Sequence, residues 1–466
     1  MNWNNLLMKE HFIKRDSKFE LLERNDYDTI ICSTLFRRLQ DKAQVFPLEE
    51  DDYVRTRLTH SLEVSAIGKK LGEYVFNRLK NISMDDWFKN HTAKDFSDVL
   101  LCAGLIHDIG NPPFGHFGEY AIREWFQNNI KELKCGEIMV SDFLTEGQLE
   151  DLYLFEGNAQ SLRLLSKTPY LGEMNGFNLS YAVLGSIIKY PICSEKIKKE
   201  NVSGYKKIGY YHSEKKLFEE INLKTGMNGC RHPLSYLLEA ADDIAYRTSD
   251  LEDAMVKKVI SFHQICRVFE ECMKKMNISK KAEKEIKSHI SLLHQLYQEE
   301  ISKNKRKPEL TSVQRWNQCM KEMMIKEAGD AFVEHYEEIM EGNYRGDLFQ
   351  DTVSKCLIQM IADLSERYIY TSSIKTRTEL YGRRVIHSLM SQFMPAAVLY
   401  DTEYKMSFIE KRTIDTVSDF YKSMYHEEAQ GKTEQEKLYL RILMITDYIS
   451  GMTDNYAKKL YQDLFS

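Results

Sequence analysis

Three short stretches of this chain carry side chains that could do chemistry: His60, the pair His107-Asp108, and the pair Asp242-Asp243. His60 stands four residues before Val64 and shares a helical face with Val64, Ile67 and Leu71, so it points inward. Taken alone, a histidine there is more often a satisfied core residue than a ligand. His107-Asp108 closes an apolar run (Val99, Leu100, Leu101, Cys102, Ala103, Leu105, Ile106) just before Gly110. An ionised Asp is almost never fully buried unless it is paired or coordinates a metal; a helix-capping role is the weaker alternative. At Asp242-Asp243 two adjacent carboxylates interrupt an apolar helix. At about 100° per residue, Asp242 shares a face with Leu238, Tyr246 and, more loosely, Asp250. Asp243 turns toward Glu239 and Arg247, where a structural ion pair is expected. Imidazole and carboxylate are ordinary ligands for a divalent transition metal. His60, His107, Asp108 and Asp242 therefore form a candidate metal set. His116 and Glu119, three apart at a helix start, can also touch, although alone they read as an ordinary solvated pair.

Each of these residues needs a helix to aim it. From Thr59, apolar residues at Val64, Ile67, Leu71 and Tyr74/Val75 predict an amphipathic helix. Residues 96–109 are apolar on nearly every side, the mark of a buried helix, and they stop at the breakers Gly110-Asn111-Pro112-Pro113. Further helices are expected from about Gly115, over 158–167, 179–190 and 233–256. The stretch 201–229 differs, with four glycines (Gly204, Gly209, Gly226, Gly229) among tyrosines, and predicts a short hairpin or irregular insert. The lysine-rich stretch 273–310 reads as solvated helix faces plus a basic loop, and 312–466 is again helix-patterned. With Gly 22 and Pro 8 in 466 residues, the chain lacks the turns a sandwich or barrel requires. The expected fold class is all-α.

Composition narrows the function classes. Hydrophobic residues at 43% and charged residues at 29% exclude disorder as the main state. A net charge of −6 gives no global basic footprint for nucleic acid. No apolar run reaches the roughly 18 residues of a membrane span, and Met1–Leu7 has no signal-peptide core. Nine scattered cysteines without a C-x-x-C pair fit reduced thiols in the cytoplasm, not a disulfide framework or a cysteine zinc site.

His60, His107-Asp108 and Asp242 stand in the order H…HD…D, and the surrounding text resembles one family closely. Arg37-Arg38-Leu39-Gln40, Gln44–Leu48, Arg55–Ser61, His107–Glu119, Phe155–Gln160, Glu239–Tyr246 and Asp447–Asp454 are similar to the deoxyguanosine triphosphate triphosphohydrolases of the HD-domain superfamily. Asn111 stands where eukaryotic relatives carry a second histidine, which points to the bacterial branch. The resemblance spans roughly residues 30 to 456 but finds no motif near 262–340.

The resemblance implies an HD core over 1–260, with 261–466 completing the active site and an oligomer interface within one globule. It implies His60, His107, Asp108 and Asp242 as ligands of one divalent ion: magnesium, manganese, or another transition metal such as iron or nickel. It implies His116 and Glu119 as a catalytic pair, the carboxylate orienting the imidazole. Gln44, Arg57, Tyr246 and Asp250 match positions that hold nucleoside and phosphates; Lys189, Tyr190 and Lys207 lie in stretches that bring cations to the phosphates. Arg57, three residues before His60, can reach a phosphate lying on the metal; without the resemblance a surface arginine is a serious alternative. The implied reaction is hydrolysis of a deoxynucleoside triphosphate, dGTP foremost, to deoxynucleoside and tripolyphosphate. A homo-oligomer, with a hexamer favoured, and a single-stranded DNA or nucleotide effector are expected partners; a membrane is not. Two other readings compete: a nucleotide- or single-stranded-nucleic-acid-binding regulator, and another HD phosphohydrolase. His116 and Glu119 argue against the first, since an inactive descendant tends to lose such a pair. The Gln44–Arg57 stretch argues against the second.

Overall fold

The computed structural model describes residues 1–12, 25–48, 51–82, 85–168, 176–199, 207–275 and 278–465. Val64, Ile67, Leu71, Val75 and Leu79 fall on one face of helix α1 (Arg57–Ile82), and all are buried. That face packs on α2 (Lys94–Ile106). Glycines allow the close approach: a Cβ on Gly104 would lie 2.6 Å from the Ser65 Cα. After the Gly110–Pro113 breaker the chain turns through Phe114, whose φ is +64°, into α3 (Gly115–Asn129). α4 (Gly157–Lys167), α5 (Tyr181–Ile187), α6 (Lys215–Thr225) and α7 (Pro233–Val256) follow, and α7 lies across α1 and α2. α8 (Pro308–Glu334) covers α1 and α7 from outside. α9 (Ser373–Leu399) packs on α3, and α10 (Glu434–Ser450) packs on α9.

The fold is all-α, as expected from the scarcity of breakers. The strands among the described residues are Lys134–Cys135 and Ile138–Met139, paired antiparallel about Gly136 (φ +62°). Of the short hairpin or irregular insert expected at 201–229, the described residues form no strand. Residues 201–206 lie outside the described residues; 207–211 are irregular, and α6 then occupies 215–225. Leu217, Phe218 and Ile221 give α6 a buried face. Gly226 ends it at φ +66°, the usual glycine helix stop. Gly226 marks a helix end, not a strand turn.

Among the described residues three apolar clusters fill the interior. One joins α1, α2, α5 and α7. The second joins α3 to α9 and α10, drawing on both sides of residue 260. The third packs Val45, Phe46 and Val54 against Leu251 and the helices of 262–369. In the lysine-rich stretch, Lys280–Ser302 is a helix that buries Ile286, Leu293 and Leu296, and residues 303–307 are exposed. All nine cysteines are free thiols. Among the described residues no helix is long and apolar enough to cross a membrane.

The start of α7 depends on a neutral histidine. His232 is fully buried; its Nδ1 accepts from the Leu234 nitrogen at 3.1 Å, and its Nε2 donates to the Leu6 carbonyl at 3.0 Å. Burial pushes its pKa down to about 4, whereas an unfolded histidine titrates near 6.5. The unfolded chain thus binds the extra proton first, and stability falls as pH drops from about 6.5 through 4. The loss is on the order of 3 kcal/mol. A melting-temperature series over that range should show a decrement in the wild type that shrinks in His232→Gln. Parallel curves would remove His232 from the acid response.

Candidate active site

Three helices deliver the candidate metal ligands. α1 offers His60 from its first turn, the end of α2 offers His107 and Asp108, and the middle of α7 offers Asp242. The His60 Nε2 lies 3.0 Å from the Asp242 Oδ1 and 4.0 Å from the Asp108 Oδ2. The His107 Nε2 lies 3.6 Å from the Asp108 Oδ1 and 3.7 Å from the Asp242 Oδ1. His60, His107 and Asp242 each place a ligand atom within 4.8 Å of the other two. The His107 Nδ1 faces the Gly104 carbonyl at 2.8 Å, which places a ring proton there and turns Nε2 toward the acids. That Nε2 is buried with no hydrogen-bond partner.

The electrostatics favour positive charge at this point. Burial pushes Asp108 up, but Arg57, His107 and His60 outweigh it and hold the carboxyl at about 2. Burial likewise opposes ionisation of Asp242, yet the adjacent His107 and His60 rings, His60 at hydrogen-bond distance, keep it well below the usual carboxylate range. Burial lowers His107, and Asp108 and Asp242 reverse this, raising it to about 9. An orphaned imidazole nitrogen facing two ionised carboxylates is a donor set that fits a divalent metal.

Asp108 is gripped on both oxygens. Arg57 Nη1 donates to its Oδ2 at 2.6 Å, and Asn111 Nδ2 donates to its Oδ1 at 2.5 Å. Arg57, expected to reach a phosphate, is thus buried against a candidate ligand while also lining the cavity beside it.

That cavity has a volume of ≈ 380 Å³, within the range of small-molecule sites. Of the residues singled out in the sequence, Gln44, Arg57, His107, Asp108, His116, Glu119, Lys189, Tyr190, Lys207, Asp242 and Tyr246 line it. His60 sits behind its wall. Asp250 does not reach it either. That carboxylate is buried behind Tyr246 with neither oxygen hydrogen-bonded, and burial, with Asp253 nearby, pushes it up to about 8. The Tyr246 hydroxyl meets the Tyr370 hydroxyl.

His116, in the first turn of α3, is largely exposed at the cavity. Its Nδ1 lies 3.4 Å from the Glu119 Oε2. Glu119 is buried, and its Oε1 accepts from the Gly157 nitrogen at 2.9 Å. A Cβ on Gly157 would come 2.7 Å from that oxygen, so the start of α4 is built for this contact. Burial raises Glu119, but His116, Lys207 and Arg123 together bring it below its ordinary value. On the cavity wall, Lys189 pairs with Glu239 at 2.7 Å and Lys207 pairs with Glu156 at 3.0 Å.

Asp243 departs from expectation. It lines the cavity and forms no ion pair within 4 Å among the described residues. Glu239 is taken by Lys189 and by Arg231 at 2.5 Å, and the Arg247 guanidinium leans over the Tyr246 ring at 5.2 Å. Burial, with Asp242 and Glu239 adjacent, pushes Asp243 up to about 7.

The structure adds residues that sequence reasoning missed. Lys375 and Glu379 bring α9 to the cavity wall. Lys42, buried beside the site, donates to two backbone carbonyls. Asp454 accepts from the Phe114 nitrogen at 2.9 Å. The left-handed Phe114 is the kind of backbone strain that gathers at functional sites, but no sequence signal announced it.

Residues 57–156 match the HD domain family, and residues 356–463 match the phosphohydrolase-associated domain family. By class this is an HD-domain phosphohydrolase. A "deoxyguanosinetriphosphate triphosphohydrolase-like protein" of Listeria monocytogenes is 40% identical over 100% of this chain and 99% of its own length. One of the same name from Pseudomonas aeruginosa is 32% identical over 100% of this chain and 98% of its own. A "deoxyguanosinetriphosphate triphosphohydrolase" of Yersinia pseudotuberculosis is 31% identical over 95% of this chain and 93% of its own. The chain belongs to the deoxyguanosinetriphosphate triphosphohydrolase family.

Proposed function

We propose that this protein hydrolyses a deoxynucleoside triphosphate, dGTP foremost, to the deoxynucleoside and intact tripolyphosphate. The observation that carries the reading is the convergence of His60, His107 and Asp242, with Asp108 at 3.6 Å from His107, beside a cavity that also presents His116, Glu119 and five lysine and arginine side chains. The name of the Yersinia relative supports the choice of substrate. His60, His107, Asp108 and Asp242 would hold a divalent ion, which when bound would polarise a phosphoryl oxygen and lower the pKa of water.

The chain's own residues do the rest. Arg57, Lys189, Lys207 and Arg247 offset the charge of the triphosphate in a partly enclosed cavity, where such contacts count more than in water. Water attacks the α-phosphorus, and the bond from that phosphorus to the 5′-oxygen breaks. The 5′-oxygen is a poor leaving group and needs a proton. His116 supplies it, with Glu119 holding the ring through Nδ1.

Incubation with each of the four deoxynucleoside triphosphates, with added manganese or magnesium and after chelation, tests this. Deoxynucleoside plus tripolyphosphate, fastest from dGTP and absent after chelation, is the expected result. Orthophosphate or a nucleoside monophosphate would assign a different HD phosphohydrolase reaction. Binding without turnover would assign a regulator.

A further inference from the structure

Both grips on Asp108 lead back to one residue. The Lys42 carbonyl accepts from the Arg57 backbone nitrogen at 2.8 Å. The Lys42 side-chain nitrogen donates to the Asn111 carbonyl at 2.5 Å. Arg57 and Asn111 are the two residues that hold the Asp108 oxygens. Lys42 touches none of the candidate ligands itself.

Its other hydrogen bond crosses the molecule. The Lys42 nitrogen donates to the Ser450 carbonyl at 2.9 Å, at the end of α10. Four residues on, Asp454 accepts from the Ala43 nitrogen at 3.1 Å and from the Phe114 nitrogen at 2.9 Å. The turn 450–454 therefore ties the segment carrying Lys42 to the loop carrying Asn111 and Phe114. Lys42 and Asp454 are each 2% exposed. Burying a lysine or an aspartate is costly unless its polar atoms are satisfied, and here the partners are backbone atoms of far-apart segments. Such contacts fix backbone position.

We infer that Lys42 and the Ser450–Asp454 turn form a clamp through which the C-terminal helical region positions Asp108 for metal binding. Lys42 and Asp454 are positioning residues. The clamp sets the carboxylate's angle through Arg57 on one oxygen and Asn111 on the other. The inference rests on the metal reading of the site.

Manganese affinity, read by electron paramagnetic resonance on the full chain, tests the clamp. Lys42→Met should weaken manganese binding about 10–100-fold, the usual cost of losing a residue that orients a metal ligand. Asn111→Leu should weaken it similarly. The double variant should bind no more weakly than the worse single one, because Lys42→Met keeps the backbone carbonyl that meets Arg57 and removes the side-chain bond to Asn111, so both changes act on the Asp108 oxygen that Asn111 holds. A merely structural role for Lys42 would instead give additive losses. Equal affinity in wild type and Lys42→Met, or additive losses, overturns the clamp. Should Lys42→Met not fold, Asp454→Asn paired with Asn111→Leu supplies the same cycle. A wild type that binds no manganese overturns the metal reading itself and the clamp with it.

Discussion

Asp242→Ala empties the metal site, and Asp243→Ala leaves it filled. The two carboxylates are neighbours in sequence, yet only Asp242 reaches both histidines, at 3.0 Å from His60 Nε2 and 3.7 Å from His107 Nε2. Asp243 stands on the cavity wall without an ion-pair partner among the described residues. Metal content after purification and dialysis should be near that of the wild type in Asp243→Ala and lost in Asp242→Ala. Turnover should fall about 10³-fold or more in Asp242→Ala, since a metal supplies several kcal/mol of transition-state stabilisation. The reverse pattern would show that the ligand on α7 is misassigned.

His116→Ala lowers kcat by roughly 10²–10⁴-fold, the usual contribution of general acid catalysis, and leaves metal content unchanged. Metal content stays because His116 is outside the ligand set. Glu119→Gln should fall between wild type and His116→Ala. The amide can still accept from the Gly157 nitrogen, but the charged partner of His116 is lost. Near-normal turnover in His116→Ala would remove this histidine from the chemistry.

The parts of the fold that were legible are those where periodicity and breakers speak together. The apolar face from Val64 to Val75 and the stop at Gly110–Pro113 defined α1 and α2, and that face of α1 aimed His60 inward, as the face with Leu238 and Tyr246 on α7 aimed Asp242. Local reasoning failed where a partner came from another segment. Helix geometry put Asp243 near Glu239 and Arg247, but could not know that Lys189 and Arg231 would occupy Glu239. It put Asp250 on the face of Asp242, but not behind Tyr246. Residues 207–229 misled because the glycines drew attention from Leu217, Phe218 and Ile221, which carry the helical spacing. Lys42 and Asp454 were illegible for a different reason. Their partners are backbone atoms, and the Lys42 bonds span 69 and 408 residues of chain. No residue type in the sequence marks a carbonyl as an acceptor.

The measurement that tests the account most directly is hydrolysis of dGTP with manganese in ¹⁸O-labelled water, with both products weighed by mass spectrometry. Attack at the α-phosphorus puts one ¹⁸O in tripolyphosphate and none in deoxyguanosine, which is the predicted result. Label in deoxyguanosine would place the attack at carbon and leave His116 protonating the wrong atom. Pyrophosphate with deoxyguanosine monophosphate, or orthophosphate, would contradict the triphosphohydrolase reading outright.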